Sequence, residues 1–309
     1  MIKKLFVLSS AAGKKDFDSF EKEIIDCYKK NNRMDELEIV KTKSKEDLEN
    51  SCIKFLNTDF LNFDKKIIYA CGGDGSLNEI ANIIASSEKK AGLGLIPMGT
   101  ANDFSKNFSY NNFKLENIFE YEISPIDLIE VNGKTCINVT SLGFDTNVLK
   151  YAYDIMKRKK LGGRLGYFYG VVKSVMNLEN VDLKISCLDE KNEEVNLSGS
   201  FLISALCNGS YYGNGFNPAP KAKIDDGILN LILAEKMSPL RIASLFTSYR
   251  RGDHLGKSGV REILTRSGKI SADREFLYNI DGEIYSDRNL NYRILEKKLK
   301  WIYFKGVKK

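Results

Sequence analysis

Up to residue 124 the chain alternates short apolar runs with stretches whose apolar residues recur at helical spacing. Leu5 to Leu8, Glu36 to Thr42, Ile67 to Ala70 and Gly92 to Ile96 have strand length and strand composition. Phe17 to Asn31, Lys45 to Leu56 and Leu77 to Ala85 carry the helical period between them. This alternation predicts βαβ units and a mostly parallel, helix-covered sheet of Rossmann-like α/β type. Ligands of such sheets gather at the carboxyl ends of the strands, where three turns fall here: Ser9 to Lys14, Gly72 to Ser76 and Pro97 to Asp103.

Beyond residue 124 the texture changes to short alternating segments: 126–131, 135–140, 181–187, 194–196, 201–207, 228–234, 269–272 and 277–280. Gly, Asn and Asp punctuate them, and Val131-Asn132-Gly133-Lys134 is a strong two-residue hairpin signal. The pattern predicts an antiparallel β-sandwich or barrel, interrupted by a helical insertion over Asn147 to Asn177 and a short helix over Pro239 to Tyr249. The expected organisation is an α/β domain over 1–124 and a β-sandwich domain over 125–294, with a boundary near Ser124-Pro125.

Composition narrows the chemistry. A length of 309 residues favours two domains, and a formal charge of +6 favours acidic partners without choosing among nucleotide, anionic lipid and nucleic acid. The six cysteines form no Cys-x-x-Cys pair and His254 is the one histidine, which disfavours a zinc site, a disulfide scaffold and most histidine-based triads and suits a reducing cytoplasm. Met1 to Ala12 superficially imitates a signal peptide, but its apolar part is too short and reads better as a first buried strand. No run approaches the roughly 18 apolar residues of a membrane span, so membrane contact is expected to be peripheral.

The turn Cys71-Gly72-Gly73-Asp74-Gly75-Ser76 follows an apolar strand and precedes a helix, the layout of a phosphate site. Asp74 would repel phosphate unless a metal ion lay between them, which points to Mg-nucleotide. The turn completes neither Gly-x-x-x-x-Gly-Lys-Ser/Thr nor Gly-x-Gly-x-x-Gly, and alone it reads as easily as a tight βα connection. A second loop after the next strand, with Thr100, Asn102 and Asp103, makes a nucleotide pocket plausible. Farther on, Asn279-Ile280-Asp281-Gly282-Glu283 reads either as a hairpin turn or as a mount for Glu283 acting as general base on a hydroxyl, facing the nucleotide loops across a cleft. The turn Asn217 to Ile228 reads either as solvated or as an oxygen-rich site for Mg²⁺ or Ca²⁺. From Tyr151 to Lys173 six basic residues (Lys157, Arg158, Lys159, Lys160, Arg164, Lys173) oppose the single acid Asp154, with Tyr151, Tyr153, Tyr167, Phe168 and Tyr169 interleaved. Such a surface suits an anionic bilayer or RNA, and equally a solvated helix end. His254 reads as a surface or loop histidine.

With these loops in view the chain resembles the bacterial diacylglycerol-kinase-like lipid kinases, a family that includes sphingosine and ceramide kinases. The family's Gly-Gly-Asp-Gly-Thr-x-Asn-Glu loop stands here as Gly72 to Glu79, its Pro-x-Gly-Thr-x-Asn-Asp-Phe loop as Pro97 to Phe104, and its late Asp-Gly-Glu as Asp281 to Glu283. The resemblance implies a nucleotide held between an α/β domain and a β-sandwich domain, with the segment 295–309 returning to the first and Trp301 to Phe304 rejoining it. It implies ATP and Mg²⁺ as cofactors. The expected nucleotide contacts are Ser9, Ser10, Ala11, Ala12, Gly13, Thr42, Gly72, Gly73, Asp74, Gly75, Ser76, Leu77, Asn78, Glu79, Thr100, Asn102 and Asp103. Glu283 is the implied general base, Asp74 part of the Mg-ATP machinery and Asp127 an acid reaching the catalytic metal through water. Lys223, Asp226 and Ile228 are the implied holders of a structural Mg²⁺.

Three departures stand out. The family's usual Asn-Pro after the first strand is Ser9-Ser10 here, its threonine after the glycine turn is Ser76, and Lys106 takes the place of a common arginine with a different geometry. The expected activity is ATP-dependent phosphorylation of a membrane-lipid hydroxyl by a cytoplasmic protein peripheral at the inner face of the membrane, with anionic bilayer and no nucleic acid as partner. A homodimer is compatible with these residues and not selected by them. NAD kinase, which shares a Gly-Gly-Asp-Gly turn, and an inactive nucleotide-binding regulator are the alternatives.

Overall fold

The structure, a computed structural model, describes residues 1–9, 16–159 and 163–307. The chain forms two compact units, Met1–Ile126 with Lys297–Lys309, and Asp127–Glu296.

The first unit alternates strands β1 (Ile2–Ser9), β2 (Leu37–Thr42), β3 (Lys65–Gly72) and β4 (Gly92–Pro97) with helices α1 (Phe17–Lys30), α2 (Lys45–Asn57) and α3 (Asp74–Ser86). Side chains at their caps fix where the first two helices begin: the Asp16 carboxylate accepts from the Asp18 and Ser19 amides, and the Ser44 hydroxyl from the Asp47 amide. The strands lie parallel in the order β2-β1-β3-β4, and the end of the last strand, β12 (Glu283–Phe304), adds beside β4 at Lys300 and Trp301. Leu8, Ile67, Tyr69 and Ile96 build one core with Ile24, Tyr28, Ile302 and Phe304. Trp301 is buried too, stacked on Phe108 at a centroid distance of 5.6 Å.

The second unit is antiparallel. Its strands are β7 (Val139–Gly143), β8 (Val181–Asp189), β9 (Glu194–Cys207), β10 (Leu229–Glu235) and β11 (Val260–Ile280), reached from the first unit through β5 (Tyr121–Val131) and its partner β6 (Lys134–Cys136). Both β9 and β11 pair with β7, β8 and β10. Two long strands sharing three neighbours fold the sheet around an interior of Leu183, Ile185, Leu206, Leu231, Ile270 and Ile280.

Local structure departs from expectation at three places. α3 starts at Asp74 rather than Leu77, because residues of a first helical turn need no intrahelical acceptor and an acidic one there suits the helix dipole. The single insertion resolves into α4 (Phe144–Lys159) and α5 (Gly163–Met176), and α6 (Pro239–Arg251) follows β10. β11 and β12 run far beyond the apolar segments read as strands; in β12, Leu290 and Tyr292 keep a period of two inside a stretch rich in charged and polar residues.

Candidate active site

In the first unit the chain leaves β1 toward β2 on one side, while β3 and β4 lie on the other, so β1 and β3 flank the point where strand order reverses. Open α/β sheets bind ligands there. Ser9 ends β1, paired in register with Thr42 of β2, and both are buried. Gly72 ends β3 beside them. A Cβ on Gly72 would stand 2.9 Å from Ser76 Oγ and 3.3 Å from Ser9 Cβ. The Gly72 carbonyl accepts from the Met98 and Gly99 amides at 2.9 and 3.0 Å, and a Cβ on Gly99 would meet Gly73 Cα at 2.4 Å. Neither Gly72 nor Gly99 has a positive φ, so both are required by close packing of two loops rather than by backbone handedness. Gly75 differs: a Cβ there meets nothing within 4 Å. It is the exposed glycine at the N-terminus of a 13-residue helix, where the first amides lack intrahelical partners and the dipole favours an anion.

Asp74 turns its carboxylate to the second loop, accepting from the Asp103 amide at 2.9 Å and the Phe104 amide at 3.0 Å. Burial raises its pKa and the Asp103 charge adds to the rise, while the two amides oppose both. Asp103 in turn pairs with Lys106, and Asn102, at φ +48°, donates to the Gly99 carbonyl at 2.8 Å. The two loops are thus one hydrogen-bonded body. Asn78 is buried and accepts from Asn82 at 2.9 Å, Glu79 pairs with Lys45, and Thr100 is exposed. Leu77 packs in the core and its amide closes the first helical turn on the Gly73 carbonyl, so its role is structural. Ser10, Ala11, Ala12 and Gly13 lie outside the described residues.

In the second unit, Asp281 at φ +46° and Gly282 at φ +93° form the tight turn between β11 and β12. The Asp281 carboxylate accepts three consecutive amides, Ile137, Asn138 and Val139, at 2.7, 3.1 and 3.0 Å. Burial pushes its pKa up to about 6 against the pull of those amides. Asn279 ties the same turn down: its Oδ1 accepts the Gly282 amide at 3.3 Å, and its Nδ2 donates to Ser141 Oγ at 2.6 Å. Glu283 is left exposed on this rigid mount, accepting the Tyr285 hydroxyl at 2.6 Å.

Asp127 is fully buried and meets the turn that carries Asp226: its Oδ2 accepts the Gly227 amide at 2.7 Å, and its own amide donates to the Ile224 carbonyl at 2.7 Å. Asp226 accepts the Ile228 amide at 3.1 Å, and its pKa is raised by burial and by the nearby Asp127 charge. A carboxylate whose proton affinity is raised by a second carboxylate nearby, beside backbone carbonyls, fits a hard divalent cation, which would relieve the repulsion. Among the described residues no three His, Cys, Asp or Glu side chains cluster at metal-binding spacing, so carbonyl oxygens would have to complete such a site.

The position of His254 corrects one half of the sequence reading: it lies in a loop, as expected, but not at the surface. It is buried, 4.6 Å from the Tyr249 ring, with Nε2 2.9 Å from the Pro218 carbonyl, and burial lowers its pKa. It faces an apolar cavity lined by Phe144, Val148, Leu202, Phe216 and Leu245, whose polar end also holds Asp145. Burial pushes Asp145 up to about 6, and the Tyr212 and Tyr249 hydroxyls meet each other at 3.0 Å. Sequence reading missed this cluster. Its one signal was Asp145 directly after Gly143-Phe144, a lone carboxylate where strand turns to helix in apolar surroundings.

Residues 3–131 match the diacylglycerol kinase catalytic domain, and residues 138–303 match the YegS C-terminal NAD kinase beta sandwich-like domain. A diacylglycerol kinase of Staphylococcus saprophyticus is 30% identical over 226 residues, covering 72% of this chain and 71% of that protein. One from Staphylococcus aureus strain JH9 is 30% identical over 240 residues, covering 76% of this chain and 73% of that protein. A crystal structure of a diacylglycerol kinase from Bacillus anthracis superposes with a TM-score of 0.69 at 20% identity, covering 97% of this chain and 96% of the other, a likeness of fold.

Proposed function

The chain belongs to the diacylglycerol kinase family of lipid kinases, enzymes that phosphorylate an alcohol group, and from that premise we propose that it transfers the γ-phosphoryl group of ATP to the hydroxyl of diacylglycerol or a closely related lipid alcohol. The observation that carries this reading is the bare, exposed Gly75 at the start of α3, beside the point where strand order reverses. Backbone amides there would receive a phosphate, and Asp74 would hold the Pro97 to Asp103 loop in place through its two amide contacts. Glu283, exposed on a turn clamped by Asp281 and Asn279, is the proposed general base that takes the proton of the attacking hydroxyl.

Mg²⁺ when bound would neutralise charge on the phosphates. A structural ion would be held by the turn of Lys223, Asp226 and Ile228, beside Asp127. No helix among the described residues is long and apolar enough to cross a membrane, and the proposed setting is peripheral, at the cytoplasmic face of an anionic bilayer. The basic, aromatic segment from Tyr151 to Lys173 supports that setting; Lys160, Leu161 and Gly162 in it lie outside the described residues.

The test is transfer of radiolabel from γ-labelled ATP, with Mg²⁺, into mixed micelles of diacylglycerol and a panel of lipid alcohols, with NAD as parallel acceptor. Labelled phosphatidic acid is the expected product. Nucleotide binding without transfer to any lipid alcohol would overturn the reading, and labelled NADP would move the chain to NAD kinase.

A further inference from the structure

α5 carries its hydrophobicity on the wrong side for a helix facing water. It packs on α4 through glycines, Gly166 and Gly170, and among the described residues of the helix these two and Ser174, spaced four apart, are the buried ones. A Cβ on Gly170 would stand 2.3 Å from the Val148 carbonyl oxygen, and one on Gly166 2.5 Å from Met156 Cγ. The large residues point away. Leu165, Phe168, Val172 and Met176 share the outer face, with 63, 68, 43 and 75% of their surface exposed. Small residues inside and large apolar ones outside is how helices pair in a medium as apolar as their own side chains.

α6 extends the same surface. Leu240 is 85% exposed, and an apolar groove lies between the two helices, lined by Val171 and Val175 of α5 and Ile242, Ala243 and Phe246 of α6. Charge is one-sided as well. α5 and α6 contain Arg164, Lys173, Arg241, Arg250 and Arg251 and no Asp or Glu, while exposed Lys150, Lys157 and Arg158 of α4 outnumber its exposed Asp154. A protein partner would satisfy the apolar face, and a nucleic acid the charge. An anionic bilayer satisfies both.

We propose that α5 is a membrane-insertion helix. Leu165, Phe168, Val172 and Met176 enter the acyl region of an anionic bilayer, Leu240 of α6 enters beside them, and the surrounding lysines and arginines lie at the headgroups. The purpose of this docking rests on the lipid-kinase reading. Fourteen residues span about 21 Å, so the helix lies in the interface plane rather than crossing it. The claim goes beyond electrostatic attachment: apolar burial is not screened, so a large part of the binding survives salt.

The experiment places a reporter at the stripe with Phe168→Trp; Trp301, the chain's only tryptophan, is buried and gives a constant background. With vesicles of phosphatidylglycerol carrying brominated acyl chains, emission of the introduced indole is expected to shift to the blue and be quenched, without ATP present. In about 1 M NaCl, where charges are screened beyond about 3 Å, wild-type protein still sediments with vesicles. The double variant Leu165→Ser, Phe168→Ser binds roughly a hundredfold more weakly under that condition. Its turnover of monomeric, water-dispersed dibutyrylglycerol equals wild type. Emission indifferent to brominated lipid, loss of all wild-type binding in high salt, or wild-type binding by the double variant would each overturn the proposal. So would a dimer by light scattering in which the introduced indole is already shielded without lipid. Insertion with no turnover of dibutyrylglycerol by any form would sink the kinase reading and leave insertion standing.

Discussion

The turn at Asp74-Gly75 and the turn at Asp281-Gly282 share a dipeptide and use it differently. In each the aspartate, which sequence would offer to a metal or a substrate, is held by backbone amides of another segment: two for Asp74 and three for Asp281. In each the group left open is a neighbour, the bare backbone of Gly75 or the carboxylate of Glu283. The glycines differ in purpose. Gly75 lies in the first turn of a right-handed helix with open space where a Cβ would be, whereas Gly282, at φ +93°, lets the chain reverse within two residues. In both turns the acidic residue is first a staple, and the group proposed to bind or react is the one the staple leaves exposed.

The largest expected effect separates reactive group from staple. Glu283→Gln should lower kcat by roughly 10²- to 10⁴-fold, the usual contribution of a general base, with ATP affinity and melting temperature unchanged. Steady-state kinetics beside a thermal melt would check it; wild-type turnover would reduce Glu283 to a partner of Tyr285. Asp281→Ala should do the reverse to the fold. It leaves three amides without their acceptor at roughly 1–3 kcal/mol each, so about 3 kcal/mol or more and a fall of roughly 6–12 °C in Tm by circular dichroism. Asp74→Ala frees two amides, so its thermal loss should be smaller, about 2 kcal/mol, while Kd for ATP by calorimetry rises because the second loop is released. Equal changes in ATP affinity for the two alanine variants would break the comparison.

The sequence made the parallel half legible because buried parallel strands are continuous apolar runs such as Ile67 to Ala70, closed by turn residues that local rules recognise. It left β12 unseen between Glu283 and Lys300, where a stretch rich in charged and polar residues has a strand's period without a strand's apolar content. Gly72, Asp74, Asp281 and Glu283 could be named in advance because they sit in local motifs, and Asp127 through the family resemblance. What holds Asp74, Asp281 and Asp127 could not be read, since the amides of Asp103, Ile137 and Gly227 that hold them lie 29 to 144 residues away in the chain. The Asp145 and His254 cluster was invisible for the same reason.

The glycines give a finer version of the contrast. Gly99→Ala places a methyl 2.4 Å from Gly73 Cα, backbone that cannot yield cheaply, and should lower Tm measurably. Gly75→Ala meets no atom and improves helix propensity by about 0.5–1 kcal/mol, so Tm should hold or rise while ATP binding weakens. If Gly75→Ala binds ATP as wild type does, the open glycine is not where phosphate approaches.

The smallest effect is the response of Asp281 to pH, and its sign follows from the direction of the shift. Burial places its folded pKa at about 6, above an ordinary aspartate in the unfolded chain near 4. The folded state then holds the proton more tightly, so ionisation costs the fold in full above pH 6 and progressively less as pH falls through 6 toward 4. Between pH 7 and 5 this group should add about 1 kcal/mol to stability. Asp145, pushed up to about 6 as well, adds a slope of the same sign, so wild type alone does not isolate Asp281. Asp281→Asn keeps an acceptor oxygen for the amides and has no proton to gain. Urea melts at pH 7 and pH 5 should therefore show a wild-type gain on acidification that exceeds the variant's by about 1 kcal/mol. If the variant instead gains more than wild type, the three amides outweigh burial, Asp281 titrates below an ordinary aspartate, and the turn beneath Glu283 is clamped by a fully charged carboxylate at every pH where the kinase works.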